Sequence, residues 1–207
     1  MTNRLSAGFS QLAPIFKASE AALLISDMQN DYLKGAPLAS ERSRRTIAPT
    51  TRLLETARSL KLPVFYTRRI YRRDGLHSSP VHRLKNIGKT GITVEGTWGA
   101  EIIDELKPRP GEIVVDKIRY SGFFQTPLET LLRGLKVTFL LLTGGSTQWG
   151  VEATARDAEQ RDLIPIVISD ATHAGTDELQ EASLRNISQF VGFVVTTDEA
   201  LRLLSQT

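Results

Sequence analysis

The chain has 207 residues, 41% hydrophobic and 24% charged, with 26 basic side chains against 23 acidic ones. That length supports one domain with a substantial core, and the composition is that of a globular protein rather than a disordered or fibrous one. No apolar run reaches the length of a membrane span, Met1 to Gly8 lack the apolar centre of a secretory leader, and the absence of cysteine excludes disulfides and thiolate metal sites, so a cytoplasmic protein without a membrane partner is expected. The near balance of charge also argues against a nucleic-acid partner.

Short apolar runs alternate with amphipathic stretches along the chain. Strands are predicted at 21–26, 64–67, 113–116, 137–143, 164–169 and 193–196, each rich in Val, Ile or Leu as strands buried on both faces are. Helices are predicted at 43–60, 100–106, 127–133, 149–161, 177–190 and 198–204. In the first of these, Ile47, Leu53, Leu54, Ala57 and Leu60 approximate one helical face. Asp177 and Asp198 precede helical patterns and read as N-caps. Residues 71–97 show no periodicity and are too long for an ordinary connection, which marks a lid or a binding loop. Near its start lie Arg68, Arg69, Arg72 and Arg73, followed by His77, His82, Arg83, Lys85 and Lys89. Most of these read as a solvated basic loop, with one or two free to attract a small anionic substrate.

This alternation predicts one α/β domain over residues 1–207. Its core is a doubly wound parallel sheet of about six strands with helices on both faces. Ligands of such sheets bind at the carboxyl ends of the strands. Asp27 follows the first predicted strand, Lys117 follows the third, and residues 145–150 lead from the fourth into a helix. Three distant segments therefore converge on one edge.

Those segments carry motifs. The first is Asp27-Met28-Gln29-Asn30-Asp31-Tyr32 after Leu24-Ile25-Ser26. The second is Asp116-Lys117-Ile118-Arg119-Tyr120-Ser121-Gly122-Phe123-Phe124. The third runs Thr143-Gly144-Gly145-Ser146-Thr147-Gln148-Trp149-Gly150-Val151-Glu152-Ala153-Thr154-Ala155-Arg156-Asp157-Ala158. Together they resemble the isochorismatase-like superfamily of cysteine hydrolases, over about residues 21 to 204. The resemblance implies a Rossmann-like fold. It makes Asp27 a general acid/base and Lys117 the neighbour that holds it and supports charge on the reacting group. It assigns an oxyanion hole to the amides of Ser146 and Gly150, after a cis peptide at Gly145–Ser146, and adds Gln29, Tyr120 and Trp149 to the substrate-facing set. His173 is expected to shape the pocket rim. Ser146 and Thr147 supply the nearest hydroxyls, but the family uses those positions structurally. No metal and no cofactor is implied: the nicotinamidase branch carries an Asp-x-His ligand motif soon after the first aspartate, whereas no histidine precedes His77 here. A homodimer or homotetramer is implied, since the superfamily commonly forms them.

At one motif position the chain departs from the family. Gly150 stands where the third motif has its nucleophilic cysteine, and no other thiol exists to replace it. Three readings follow. Residues 119–128 and Asp170-Ala171-Thr172-His173 resemble ureidoacrylate amidohydrolases, with biuret hydrolases related. The first reading is therefore a carbon–nitrogen hydrolase with an Asp-Lys-Cys triad whose cysteine was replaced, by engineering or drift. In the second, Gly150 is native and Asp27 acts as the acid of an isochorismatase-type vinyl-ether hydrolysis. Against that reading, those enzymes commonly have histidine before the aspartate, where this chain has Ser26, and Trp149 beside the glycine gives no direct support. The third is a non-catalytic small-molecule binding or scaffold protein.

Overall fold

Strands that can bury both faces assemble at the centre of this protein. The structure is a computed structural model that describes residues 7–35, 38–85 and 91–206. Lys89 of the basic stretch and Met1 to Ser6 of the N-terminal reading lie outside the described residues. The strands are β1 (Ala21–Ser26), β2 (Val64–Arg69), β3 (Ile113–Lys117), β4 (Phe139–Gly145), β5 (Ile164–His173) and β6 (Phe193–Val195). They form one sheet in the order β3-β2-β1-β4-β5-β6, with every neighbouring pair parallel. The order reverses between β1 and β4, so the ligand crevice of such a sheet opens at their carboxyl ends.

Strand periodicity divides the core into two layers. Leu23 and Ile25 of β1 join Tyr66, Leu141, Ile166 and Ile168 on one face. That face is covered by α4 (Ile47–Ser59), through Leu53, Leu54 and Ala57, and by α9 (Thr197–Leu204), through Ala200, Leu203 and Leu204. Ala22 and Leu24 join Phe65, Val115, Leu140, Leu142 and Val167 on the other face. The covering residues there are Leu128 and Leu132 of α6 (Leu128–Gly134), Ala155 and Ala158 of α7 (Glu152–Glu159), and Leu184 of α8 (Asp177–Asn186). Short helices at Ala7–Leu12 (α1), Asn30–Leu33 (α2), Glu41–Arg45 (α3) and Pro80–Leu84 (α5) complete the described helical segments used below. Among the described residues no helix is long and apolar enough to cross a membrane.

Several boundaries differ from the sequence expectation, each for a local reason. The predicted helix at 43–60 begins earlier and is broken. Ser40 and Ser43 form a reciprocal capping box that starts α3, and Thr46 closes α3 just before α4. The stretch 100–106 is not a helix but two single 3₁₀ turns, Trp98–Ala100 and Asp104–Leu106. Between them the backbone bonds to the segment after β1: Asn30 N donates to Glu101 O at 2.9 Å and Ile103 N to Met28 O at 3.0 Å. Those tertiary bonds take the groups a helix would need. Helices α7 and α8 are shorter than predicted, because wide π-type turns at Thr147–Val151 and Ile187–Val191 precede α7 and follow α8.

The N-caps are also one or two residues upstream of the expected aspartates. Thr176 caps α8, and Thr196 caps α9 in a capping box with Glu199. Asp177 and Asp198 instead lie in the first turns and pair with Arg42 and Arg52 at 2.8 Å. A threonine hydroxyl that satisfies a backbone amide stabilises a helix more than an exposed ion pair does. Thr196→Ala is therefore expected to lower unfolding free energy by about 1 kcal/mol in urea titrations, and Asp198→Asn by visibly less.

Candidate active site

Asp27 leaves β1 in the left-handed region, φ 53°, which aspartate tolerates better than most residues. Its amide donates to Thr67 O at 3.0 Å and its carbonyl accepts from Gln29 N at 2.8 Å, so the turn is held on both sides. The side chain is thereby directed at β2 and β3. Its Oδ1 accepts a hydrogen bond from the Thr67 hydroxyl at 2.9 Å. Its Oδ2 lies 2.7 Å from Lys117 Nζ.

Lys117 is the last residue of β3 and the register partner of Arg69 on β2. β2 lies between β1 and β3, so the lysine side chain reaches past it to Asp27. Its ammonium is fully buried and also donates to Tyr120 O at 2.6 Å. Burial pulls the lysine below its usual pKa, the Asp27 carboxylate works in the opposite direction, and the neighbouring Arg69 adds to the lowering.

The third segment meets this pair from β4. Gly144 has φ 99°, and a Cβ there would fall 2.0 Å from Ser26 O, so only glycine fits between the two central strands. A Cβ on Gly145 would fall 2.0 Å from the His173 ring. The Gly145–Ser146 peptide is cis. Ser146 then opens the turn that contains Gly150, its carbonyl accepting from Trp149 N and Val151 N. Gly150 differs from the other two glycines: its φ is not positive, unlike that of Gly144, and a Cβ there would not collide with a neighbour as one on Gly144 or Gly145 would, so its backbone does not call for glycine. A Cβ built there would stand 3.4 Å from Asp27 Oδ2, 3.4 Å from Lys117 Nζ and 3.5 Å from Tyr120 O. A small side chain at position 150 would thus project between the carboxylate and the ammonium.

Asp27, Lys117, Gly145, Ser146 and Gly150 come together at the carboxyl edge. Tyr120 and Trp149, half-exposed, form a rim with ring centroids 6.3 Å apart. Gln29 does not face this space. It is fully buried, its amide nitrogen donates to Arg69 O and Ala100 O, and its oxygen accepts from Arg69 N at 2.8 Å. Its side chain clamps β2 to the 93–100 segment instead of contacting a substrate. Asn30 and Asp31 do the same, holding Trp98 O and Thr93 N.

His173 ends β5 and lies over Gly145, with Nδ1 buried and unpaired among the described residues. Burial pushes its imidazole down to about 4. The groove beside it is lined by Arg42, Arg45, Arg52, Asp170 and Gln180 and does not include Asp27, Lys117 or Gly150.

Sequence reading missed Thr67 and Thr154 and did not separate Arg69 from the other arginines of the basic stretch. Thr67 orients Asp27. Thr154 donates to Gly150 O at 2.6 Å and accepts from Gly122 N at 2.9 Å, tying the third motif to the second. Arg69 is buried, whereas Arg68 beside it is paired with Asp116 and Glu101. The available signal was strand alternation: Phe65, Thr67 and Arg69 share one face if β2 continues to residue 69, as it does.

A six-stranded parallel sheet in the order 3-2-1-4-5-6 with helices around it is the fold of the isochorismatase-like α/β hydrolases, and in this chain a buried aspartate–lysine pair lies at its switch point. The chain belongs to the isochorismatase family: the family model described as isochorismatase domain matches residues 21–199. It is 34% identical to the ureidoacrylate amidohydrolase RutB of Rhizobium rhizogenes, over 92% of this chain and 85% of that one. Among solved structures it is similar to a cysteine hydrolase from Pseudomonas syringae pv. phaseolicola, with TM-score 0.84 and 30% identity over 91% of this chain and 94% of the other. It is also similar to N-carbamoylsarcosine amidase from Thermoplasma acidophilum, with TM-score 0.75 and 30% identity over 86% of this chain and 97% of the other.

Two outcomes follow from the geometry. Lys117→Met leaves the Asp27 carboxylate buried without its counter-charge and is expected to cost roughly 3–5 kcal/mol of stability. The double variant Asp27→Asn/Lys117→Met should recover most of that in equilibrium denaturation. His173 is neutral when folded and has a folded pKa below its unfolded value near 6.5. Its contribution to stability is therefore complete above pH 6.5 and lost as pH falls towards 4. Over that window the parent chain should lose on the order of 3 kcal/mol more than His173→Gln.

Proposed function

We propose that this chain carries the acid/base and oxyanion parts of a carbon–nitrogen hydrolase site for a small polar or anionic ureido or amide substrate. In this reading Gly150 occupies the place of the cysteine in an Asp-Lys-Cys triad. One observation supports it above the others: a Cβ at position 150 would stand 3.4 Å from both Asp27 Oδ2 and Lys117 Nζ. A thiol there would be flanked by a cation at the start of a helix, conditions that lower a thiol pKa, and by a carboxylate placed to take its proton. The names of the relatives, an amidohydrolase, a cysteine hydrolase and an amidase, agree in reaction class.

The roles follow from the positions. With a cysteine at 150, Asp27 takes the thiol proton as sulfur bonds to the substrate carbonyl carbon. The amides of residues 146 and 150 receive the developing oxyanion. The carbon–nitrogen bond then breaks, and Asp27 returns the proton to the leaving amine. In the second half a water attacks the thioester, gives its proton to Asp27, and the sulfur leaves with that proton. Lys117 holds the Asp27 carboxylate in place and offsets the charge that builds up. Gly150 retains the backbone amide but closes the covalent route, so the parent chain binds substrate without turning it over.

A second reading rests on the same intact pair. Asp27 can donate a proton directly to an enol ether, a reaction that needs no nucleophilic side chain.

Gly150→Cys separates the two. It is expected to raise hydrolysis of small ureido acids or amides by ~10³-fold or more over the parent chain. Mass spectrometry should capture an acyl adduct on residue 150, and adding Asp27→Asn should abolish the gain. Turnover of an enol ether by the parent chain, stopped by Asp27→Asn, would establish the second reading. Amide hydrolysis by the parent chain with an adduct on Ser146 or Thr147 would remove the first, and inactivity of both chains on both substrate classes would favour a binding protein.

A further inference from the structure

Arg69 is the one arginine among the described residues that is buried, at 5% exposure, and it makes no ion pair with any described carboxylate. Of the half-buried arginines, Arg58 is matched by Glu112 at 2.7 Å, Arg68 by Asp116 at 2.8 Å and Arg161 by Glu129 at 2.8 Å, while Arg119 donates to the carbonyls of His77 and Ile118. The groups that Arg69 touches are neutral. Its Nε donates to the Tyr71 hydroxyl at 2.9 Å, and its Nη2 lies 3.4 Å from His82 Nδ1. The Tyr71 and Tyr120 rings flank the guanidinium at 5.2 and 4.7 Å. Burial and the two cations Arg69 and Arg119 hold His82 below its usual pKa.

Arg69 also belongs to the catalytic edge. It is the register partner of Lys117, so their side chains leave neighbouring strands on the same face, with Thr67 two residues earlier on that face. Arg69 and Lys117 are two buried cations against the single carboxylate of Asp27. A buried charge without a counter-charge is costly, and ring faces and neutral acceptors offset only part of that cost. Tyr120 links the two positions: its carbonyl accepts from Lys117, its ring covers Arg69, and its hydroxyl lies 3.0 Å from His82 Nε2.

We propose that Arg69 binds a carboxylate of the substrate, so that the site selects a ureido or amide compound bearing an acid group a short distance from the carbonyl held at residue 150. The inference rests on the reading of the site as one for small polar or anionic amides. It narrows that reading to substrates with a carboxylate, and it assigns the recognition to one residue rather than to the basic stretch as a whole. Arg68, Arg72 and Arg73 are excluded because their guanidinium groups are taken by Asp116, Asp74 and the Glu95 carbonyl, and Arg119 because its guanidinium is held by the carbonyls of His77 and Ile118. A guanidinium offers the paired donors that a carboxylate accepts, which a lysine at the same place supplies only as a point charge.

The parent chain suits the test, because without a nucleophile a ligand stays intact during calorimetry. The probes are N-carbamoylglycine and its uncharged amide. The acid is expected to bind the parent chain about tenfold or more tightly than the amide, with the difference shrinking as salt rises. Arg69→Gln should erase that preference while leaving affinity for the amide unchanged, and Arg69→Lys should keep part of it. Equal weakening of both probes by Arg69→Gln, or no preference in the parent chain, would overturn the proposal. Arg69→Lys retains the cation, and Gln29 holds the backbone of residue 69 irrespective of its side chain. That variant, checked by circular dichroism, gives a folded comparison if Arg69→Gln does not fold, and a preference as strong as the parent's under Arg69→Lys would then count against paired recognition. The Gly150→Cys chain separates this inference from the functional reading. Hydrolysis that ignores the acid group sinks the anchor alone. Selective binding by the parent chain beside an inactive Gly150→Cys chain keeps the anchor and rejects the hydrolase.

Discussion

The active edge depends on the ion pair between Asp27 and Lys117. The lysine crosses β2 to reach the aspartate, and its second donation, to Tyr120 O, carries the constraint into the loop after β3. One ammonium thereby joins the ends of β1 and β3 to the rim of the site. Removing these charges from water is expensive, and apolar residues in their place would give a fold of similar or greater stability. The pair is therefore explained by what it can do rather than by what it contributes to folding. A carboxylate held by a cation and a threonine hydroxyl is fixed in position and in hydrogen-bonding state, as a group that relays a proton must be.

Around that pair lies a shell whose job is rigidity. Gln29, Asn30 and Asp31 spend their side chains on the backbone at 69 and 93–100, and Thr154 links Gly150 to Gly122. These bonds connect all three motif segments without touching the space where chemistry would occur. They also account for the lost helix at 100–106, whose backbone groups are committed to the turn after β1. Residues in one motif thus divide into those that face the reacting space and those that hold the others still.

The basic stretch shows how far composition can mislead. Arg68 and Arg69 are adjacent and chemically identical, yet strand alternation sends one to acidic partners at the surface and the other into the site face. Segment 71–97 contributes Tyr71 and His82 to the surroundings of that buried guanidinium, and it pairs with itself through Tyr71 and Val94. The Tyr71 and His82 side chains enclose Arg69, while the charged side chains among the described residues of the segment are exposed.

The six parallel strands were legible because strands buried on both faces must be short and apolar, and that pattern survives in any one sequence. The carboxyl-edge placement of Asp27, Lys117 and residues 145–150 followed from the same runs, and the motifs marked Gly150 as the position without its side chain. Strand ends were less legible: β2 continues through two arginines, and β5 continues to His173, because neighbouring strands offer hydrogen bonds there whatever the side chain. The caps at Thr176 and Thr196 competed in sequence with aspartates that are equally good cap formers. Only the tertiary structure decided that Gln29 clamps backbone, that Thr67 and Thr154 brace the site, and that Arg69 is buried without a carboxylate. Each of those depends on which distant group occupies the space beside the residue, and local periodicity carries no record of it.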